Sequence, residues 1–174
     1  MSAAKMQLAE IRIKVNGVER SVSVPPMKRL LDVLREDLEL TGAKEGCCEG
    51  ECGSCSILLD GVLVNSCLVP ALQANGCDVL TVEGLATNGA LAHIQQTFLE
   101  IGGTQCGICT PGMMLAAESL LRNNPQPDLD AIREGLAGNL CRCTGYIRII
   151  DAVRHASQAP LLAEEQAELD AVRR

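Results

Sequence analysis

The chain has 174 residues, enough for one medium domain or two small ones. Its 15 basic and 22 acidic side chains leave a formal net charge of −7, so the basic footprint of a nucleic-acid binder is absent. One Phe, one Tyr and no Trp leave few rings on which a base or a flavin could stack.

Residues 9–24 read as a hairpin. Ile11, Ile13 and Val15 alternate with polar residues, Asn16-Gly17 supplies a tight turn, and Val18, Val22 and Val24 follow. Pro25-Pro26 ends the strand, and Leu30, Leu31, Val33, Leu34 and Leu38 give a helical stripe. Glycines 42, 46, 50 and 53 mark an irregular loop rich in cysteine. Ser56 to Asp60, an Asp60-Gly61 turn and Val62 to Asn65 predict a second hairpin, and Asp78 to Val82 a short last strand. Gly84 to Gly89 reads as a linker.

Beyond it the apolar period changes from two to about 3.6. Leu91, Ile94, Phe98 and Ile101 line one predicted helix, and Met113, Met114, Ala117, Leu120 and Leu121 a second. Leu129, Ile132, Leu136 and Leu140 line a third, and Ile147, Ile150 and Val153 a fourth. The short loops between them predict a compact four-helix unit. The expected fold class is α+β: a β-grasp ferredoxin-type domain over residues 1–84, a linker at 85–89, a helical domain over 90–159 and a tail at 160–174.

Eight of the 10 cysteines fall into two sets of four. Cys47, Cys52, Cys55 and Cys67 have the C-x4-C-x2-C spacing plus a distant Cys of a plant-type [2Fe–2S] ferredoxin. Cys106 and Cys109 form a CxxC pair, and Cys141 and Cys143 a CxC pair. Soft thiolates are the ligands that iron–sulfur clusters require, and nearby glycines let the backbone wrap closely and aim N–H groups at sulfur. Thr110-Pro111 reads as an N-cap followed by N1, and Thr144-Gly145 as a second cap, which would put both later cysteine pairs at positive helix N-termini. A structural zinc site remains the alternative for either set, with CxxC the more zinc-like motif. A Rieske centre needs two His ligands, and His93 and His155 both lie outside the cysteine motifs. Cys48 and Cys77 read as small packing residues, and Arg142 as a loop charge able to act on a neighbouring cluster.

No stretch reaches the ~20 apolar residues of a membrane span. The first residues lack an apolar h-region and a twin arginine, so a cytoplasmic location is expected, where cysteines serve metals rather than disulfides.

Three segments together resemble the small iron–sulfur subunit of the molybdenum hydroxylase (xanthine oxidase) family. They are Glu45-Gly46-Cys47 through Cys55 with Cys67, Gln105 through Met113, and Gly138 through Tyr146. The resemblance spans about residues 9–155. It implies two [2Fe–2S] clusters on this chain, a molybdopterin-binding large subunit and usually an FAD-binding medium subunit, assembled as a heterotrimer or its dimer. It also implies that Gln105 and Cys143 touch the pterin, and that the later cluster lies nearest molybdenum and the earlier one toward flavin. Electrons would then pass from the molybdopterin site through both clusters to FAD or another acceptor, with no catalytic residue on this chain. Ser54 and Ser56 stand where the family often has Ala and Thr, and Cys48 is an extra thiol. A stand-alone two-cluster ferredoxin and a zinc-stabilised interaction module are the competing readings.

Overall fold

The computed structural model describes residues 7–157. The expected tail at 160–174 lies outside them.

The first hairpin pairs β1 (Ala9–Val15) with β2 (Val18–Val24), Val15 facing Val18 across the turn. Asn16 and Gly17 both have positive φ, the conformation this two-residue turn demands. β3 (Ser56–Leu59) pairs with β4 (Val62–Asn65) across Asp60-Gly61, which repeats the same device. β5 (Asp78–Leu80) sits between the hairpins, parallel to β1 and antiparallel to β3. The sheet order is β2-β1-β5-β3-β4. β5 is shorter than the expected Asp78–Val82, because the chain turns into a 3-10 turn at Val82–Leu85. Asn16 holds that turn in place: its side chain accepts from the Thr81 N–H and donates to the Thr81 hydroxyl, each at 2.9 Å.

The predicted helix after Pro25-Pro26 is brief. One α-turn, α1 (Leu30–Asp32), widens into a π-turn at Val33–Asp37, where the Leu38 N–H reaches back to the Val33 carbonyl at 3.0 Å. Its apolar stripe is still buried: Leu30, Leu31, Val33 and Leu34 are fully enclosed against β1, Ile57 and Val79.

The later segment forms α2 (His93–Ile101), α3 (Thr110–Asn123), α4 (Leu129–Leu136) and α5 (Ile147–Ser157). α2 ends at Gly102, in the left-handed conformation that a C-terminal glycine supplies cheaply. α4 starts where Asp128 accepts from the Ala131 N–H at 2.8 Å. Phe98, Met113, Ile132 and Ile149 form the centre of the helical core. Two stripe residues differ from expectation: Leu91 precedes α2 and Leu140 follows α4, and both are half exposed.

β3 is buried on both faces and joins the two cores. Ile57 points into the core beneath α1, while Leu58, one residue on, packs among the helices. Alternation along a strand puts neighbours on opposite faces, so adjacent residues serve different cores. α3 lies against β3, and Leu85, inside the expected linker, is buried with the helical core. Among the described residues no helix is long and apolar enough to cross a membrane.

Candidate metal centres

Cys47, Cys52 and Cys55 of the first set sit on the loop between the π-turn and β3. Its entry is fixed by Arg35, whose guanidinium donates to the carbonyls of Thr41 and Ala43 at 2.9 and 2.8 Å. Its exit is fixed by the Lys44 N–H bonding the Ser54 carbonyl at 2.9 Å. The loop then curls round the Cys47 sulfur, which accepts from the N–H groups of Glu51 and Cys52, both at 3.3 Å. The Cys47 N–H in turn points at the Cys52 sulfur, 3.4 Å away. These wrapped N–H groups, with Glu49 and Cys52 foremost, pull the Cys47 thiol down to about 7. Such a curl needs left-handed residues, and Cys48, Gly50 and Gly53 all have positive φ. At Gly46 a side chain would collide with the Cys52 sulfur.

Cys67 reaches this loop from the far end of the second hairpin. Ser66 binds the Cys55 carbonyl with its hydroxyl at 2.7 Å and its N–H at 3.3 Å, and Asn65 donates to the Gly50 carbonyl at 2.7 Å. Cys55 and Cys67 are buried together. Burial, then the neighbouring Cys55 thiol, pushes the Cys67 thiol up to about 12, and Cys47 adds to the effect.

The second set lies on two loops, one leading into α3 and the other joining α4 to α5. Cys109 is itself the N-cap of α3, so Thr110 is the first helical residue rather than the cap, with Pro111 behind it. Burial, then the Cys141 thiol, pushes Cys109 up to about 12, and Cys106 contributes. Cys143 is raised mainly by the Cys106 thiol beside it. For Cys141 burial pulls upward, but the Thr144 hydroxyl at 3.1 Å and the N–H groups of Thr144 and Cys143 outweigh it and lower the thiol. The CxC pair is not at a helix N-terminus as expected, because α5 begins only at Ile147. Thr144 instead accepts from the Tyr146 N–H at 3.1 Å, and the Tyr146 hydroxyl accepts from the Cys141 N–H at 2.9 Å. Tyr146 adopts a positive φ to close this loop.

Within the first set Cys47 lies beside Cys52 and Cys67 beside Cys55, within the second Cys109 lies beside Cys141 and Cys143 beside Cys106, and none of these thiols is in a disulfide. Cys106 and Cys143 are exposed, as is Gln105, so the second centre has an open edge while the first is more enclosed. His93 and His155 are exposed on α2 and α5. Cys48 turns away from Cys47 and donates its thiol hydrogen to Glu45 at 2.9 Å, and Glu45 bonds Arg29 at 3.1 Å.

The residues fit an iron–sulfur cluster in each set. The donors are soft, four to a set, and N–H groups already aim at sulfur. The hydroxyls of Thr104 and Thr110, which flank Cys106 and Cys109, are buried without a hydrogen-bond partner among the described residues. Buried hydroxyls in that condition call for an acceptor that the polypeptide does not supply.

The two loops also touch each other. The Leu140 N–H donates to the Cys52 carbonyl at 2.9 Å, and the Asn139 amide donates to the Gly53 carbonyl at 2.8 Å. Neither Asn139 nor Tyr146 carried a spacing signal. The only pointer in the sequence was their place inside Gly138 through Tyr146, the segment shared with the family.

Comparison with known proteins agrees with this chemistry. Residues 13–81 match the family described as 2Fe-2S iron-sulfur cluster binding domain, and residues 81–154 the family described as [2Fe-2S] binding domain. The chain is 50% identical over 151 residues to the nicotinate dehydrogenase small FeS subunit of Eubacterium barkeri, covering 87% of this chain and 96% of the relative. It is 48% identical over 147 residues to the nicotine 6-hydroxylase small subunit of Paenarthrobacter nicotinovorans, covering 84% of this chain and 88% of the relative. Among solved structures it resembles quinoline 2-oxidoreductase from Pseudomonas putida 86, with a TM-score of 0.84 and 47% identity over 87% of this chain and 95% of that one. The chain belongs to the small iron–sulfur subunits of the molybdenum hydroxylases.

Proposed function

We propose that Cys47, Cys52, Cys55 and Cys67 hold one [2Fe–2S] cluster and that Cys106, Cys109, Cys141 and Cys143 hold the other. The chain is an electron-transfer subunit of a multi-subunit molybdenum hydroxylase, paired with a large subunit that carries the molybdopterin cofactor. When bound, each cluster accepts and releases one electron at a time. The chain's own residues do the rest. Cysteine thiolates anchor the metals, the N–H groups of Glu51 and Cys52 stabilise negative charge at sulfur, and the buried side of each loop excludes water.

In this reading the layout is a β-grasp ferredoxin domain over 1–84 and a four-helix domain over 90–159. The exposed edge bearing Gln105, Cys106 and Cys143 faces the pterin, which Gln105 and Cys143 contact. The first centre faces an FAD-binding subunit in a heterotrimer or its dimer, in the cytoplasm. The observation that carries the reading is the pair of four-thiol sets joined through the Leu140–Cys52 hydrogen bond. It favours a relay over a zinc-stabilised module, which would need no such junction.

Gln105→Ala tests the pterin contact. Gln105 is no ligand, so the variant should keep both clusters and be reduced normally by dithionite. Its reduction by the enzyme's substrate should slow, followed as bleaching of cluster absorbance in stopped flow. Reduction by substrate at the parent rate, with the cofactor retained, would assign Gln105 to the loop alone.

A further inference from the structure

We propose that Asn139 is a positioning residue that sets the relation between the two metal centres. The proposal rests on the reading that each set of four cysteines holds a cluster.

Asn139 is 2% exposed, and its amide reaches out of the second-centre loop into the first. It donates to the Gly53 carbonyl at 2.8 Å and to the Ser56 hydroxyl at 3.1 Å. Gly53 lies between Cys52 and Cys55, while Asn139 stands two residues before Cys141. One side chain therefore ties the ligand loop of one centre to that of the other. The Ser56 hydroxyl also donates to the Gly53 carbonyl at 2.7 Å, so that carbonyl is held from two directions. At the other end the Asn139 carbonyl accepts from the Tyr146 hydroxyl at 3.4 Å, the hydroxyl that also receives the Cys141 N–H.

The surroundings leave no slack for a different arrangement. A side chain at Gly53 would run into the Gly138 carbonyl and the Asn139 amide. One at Gly112, in the first turn of α3, would run into the Gly53 carbonyl. A buried polar bridge of this kind is costly when half made and rigid when complete. Folding alone would have been served by apolar packing at the same junction. An amide carried by one ligand loop and bonded to the other fixes their separation and relative orientation. Transfer between the centres moves one electron and no atom or proton, so geometry is the variable left for the protein to set.

Asn139→Ala and the near-isosteric Asn139→Asp, which lacks the amide donor, should be made in the full chain within its complex. Both should retain parent iron content and both cluster signals by electron paramagnetic resonance. After full reduction by dithionite, the magnetic splitting between the clusters should change. After rapid mixing with substrate, the first cluster to be reduced should bleach at the parent rate and the second severalfold more slowly. A residue important only for folding would lower thermal stability and leave splitting and transfer rate alone, and that result overturns the proposal. If both variants lose iron, Ser56→Ala, which removes one of the two acceptors, decides: a smaller change in splitting is expected, and an unchanged value contradicts the proposal. A parent protein without two [2Fe–2S] signals would refute the underlying reading of the cysteines, an outcome distinct from failure of the Asn139 bridge.

Discussion

Adjacent cysteines at 47 and 48 show how backbone conformation sends neighbouring thiols different ways. The Cys47 sulfur receives two N–H groups at 3.3 Å, whereas Cys48 is swung by its φ of 63° onto Glu45. Cys47→Ala should therefore lose one cluster, and Cys48→Ala should keep both, as read by iron content and electron paramagnetic resonance. Half the iron in the Cys48 variant would reverse the assignment. Cys48→Gly should also keep both clusters and relieve a left-handed strain of about 1 kcal/mol, offset in part by the lost bond to Glu45. The same contact gives a pH dependence. The Cys48 thiol, then Arg29, holds the Glu45 carboxyl below its ordinary value. A carboxyl depressed in the folded state contributes stability above its unfolded pKa and loses it as pH falls through the folded value. The Arg29–Glu45–Cys48 contact should thus be intact at neutral pH and released on acidification. Thermal melts of the parent should fall toward those of Glu45→Gln as the pH is lowered, and a constant difference between the two would contradict this.

Elements whose signals are local were legible in the sequence, and those set by tertiary packing were not. Both hairpins follow from Asn16-Gly17 and Asp60-Gly61 flanked by alternating apolar residues, and the turns adopt the positive φ values those pairs favour. The helical stripes predict four later helices, but Leu91 and Leu140 lie beyond the ends of α2 and α4, because an apolar residue at the right spacing looks the same on or beyond a helix end. Thr110 offered good capping chemistry, yet Cys109 occupies the cap. The π-turn after α1 had no sequence signature, since it arises where Leu38 and Leu40 reach back to Val33 and Leu34. The four-cysteine sets could be grouped by spacing, but the Asn139 contact between them joins residues 86 apart and has no local trace. Two substitutions test the elements. Asp128→Ala removes the cap of α4 and should cost about 1 kcal/mol, with both clusters kept. Gly112→Ala forces a methyl group of α3 against the backbone of Gly53. It should cost about 2 kcal/mol by overpacking and disturb the magnetic splitting between the clusters as well as the melting temperature. A Gly112→Ala protein with parent stability and splitting would show that α3 can withdraw from the loop.

At the scale of the whole molecule, two cores share one strand, and the two ligand loops meet where those cores join. Leu58 and Ile57 tie the cores through β3, and the Leu140–Cys52 and Asn139–Gly53 bonds tie the loops directly. The arrangement encloses the junction and leaves Cys106, Cys143 and Gln105 at an open edge. The central claim is that this chain holds two [2Fe–2S] clusters as neighbouring stations of one relay. An anaerobic reductive titration of the purified complex, followed by electron paramagnetic resonance with iron and sulfide analysis, tests it most directly. The account predicts two iron and two sulfide per cysteine set, two distinguishable signals of one spin each per chain, and magnetic interaction between them at full reduction. A colourless chain containing zinc, a single signal, or two signals without interaction would contradict it.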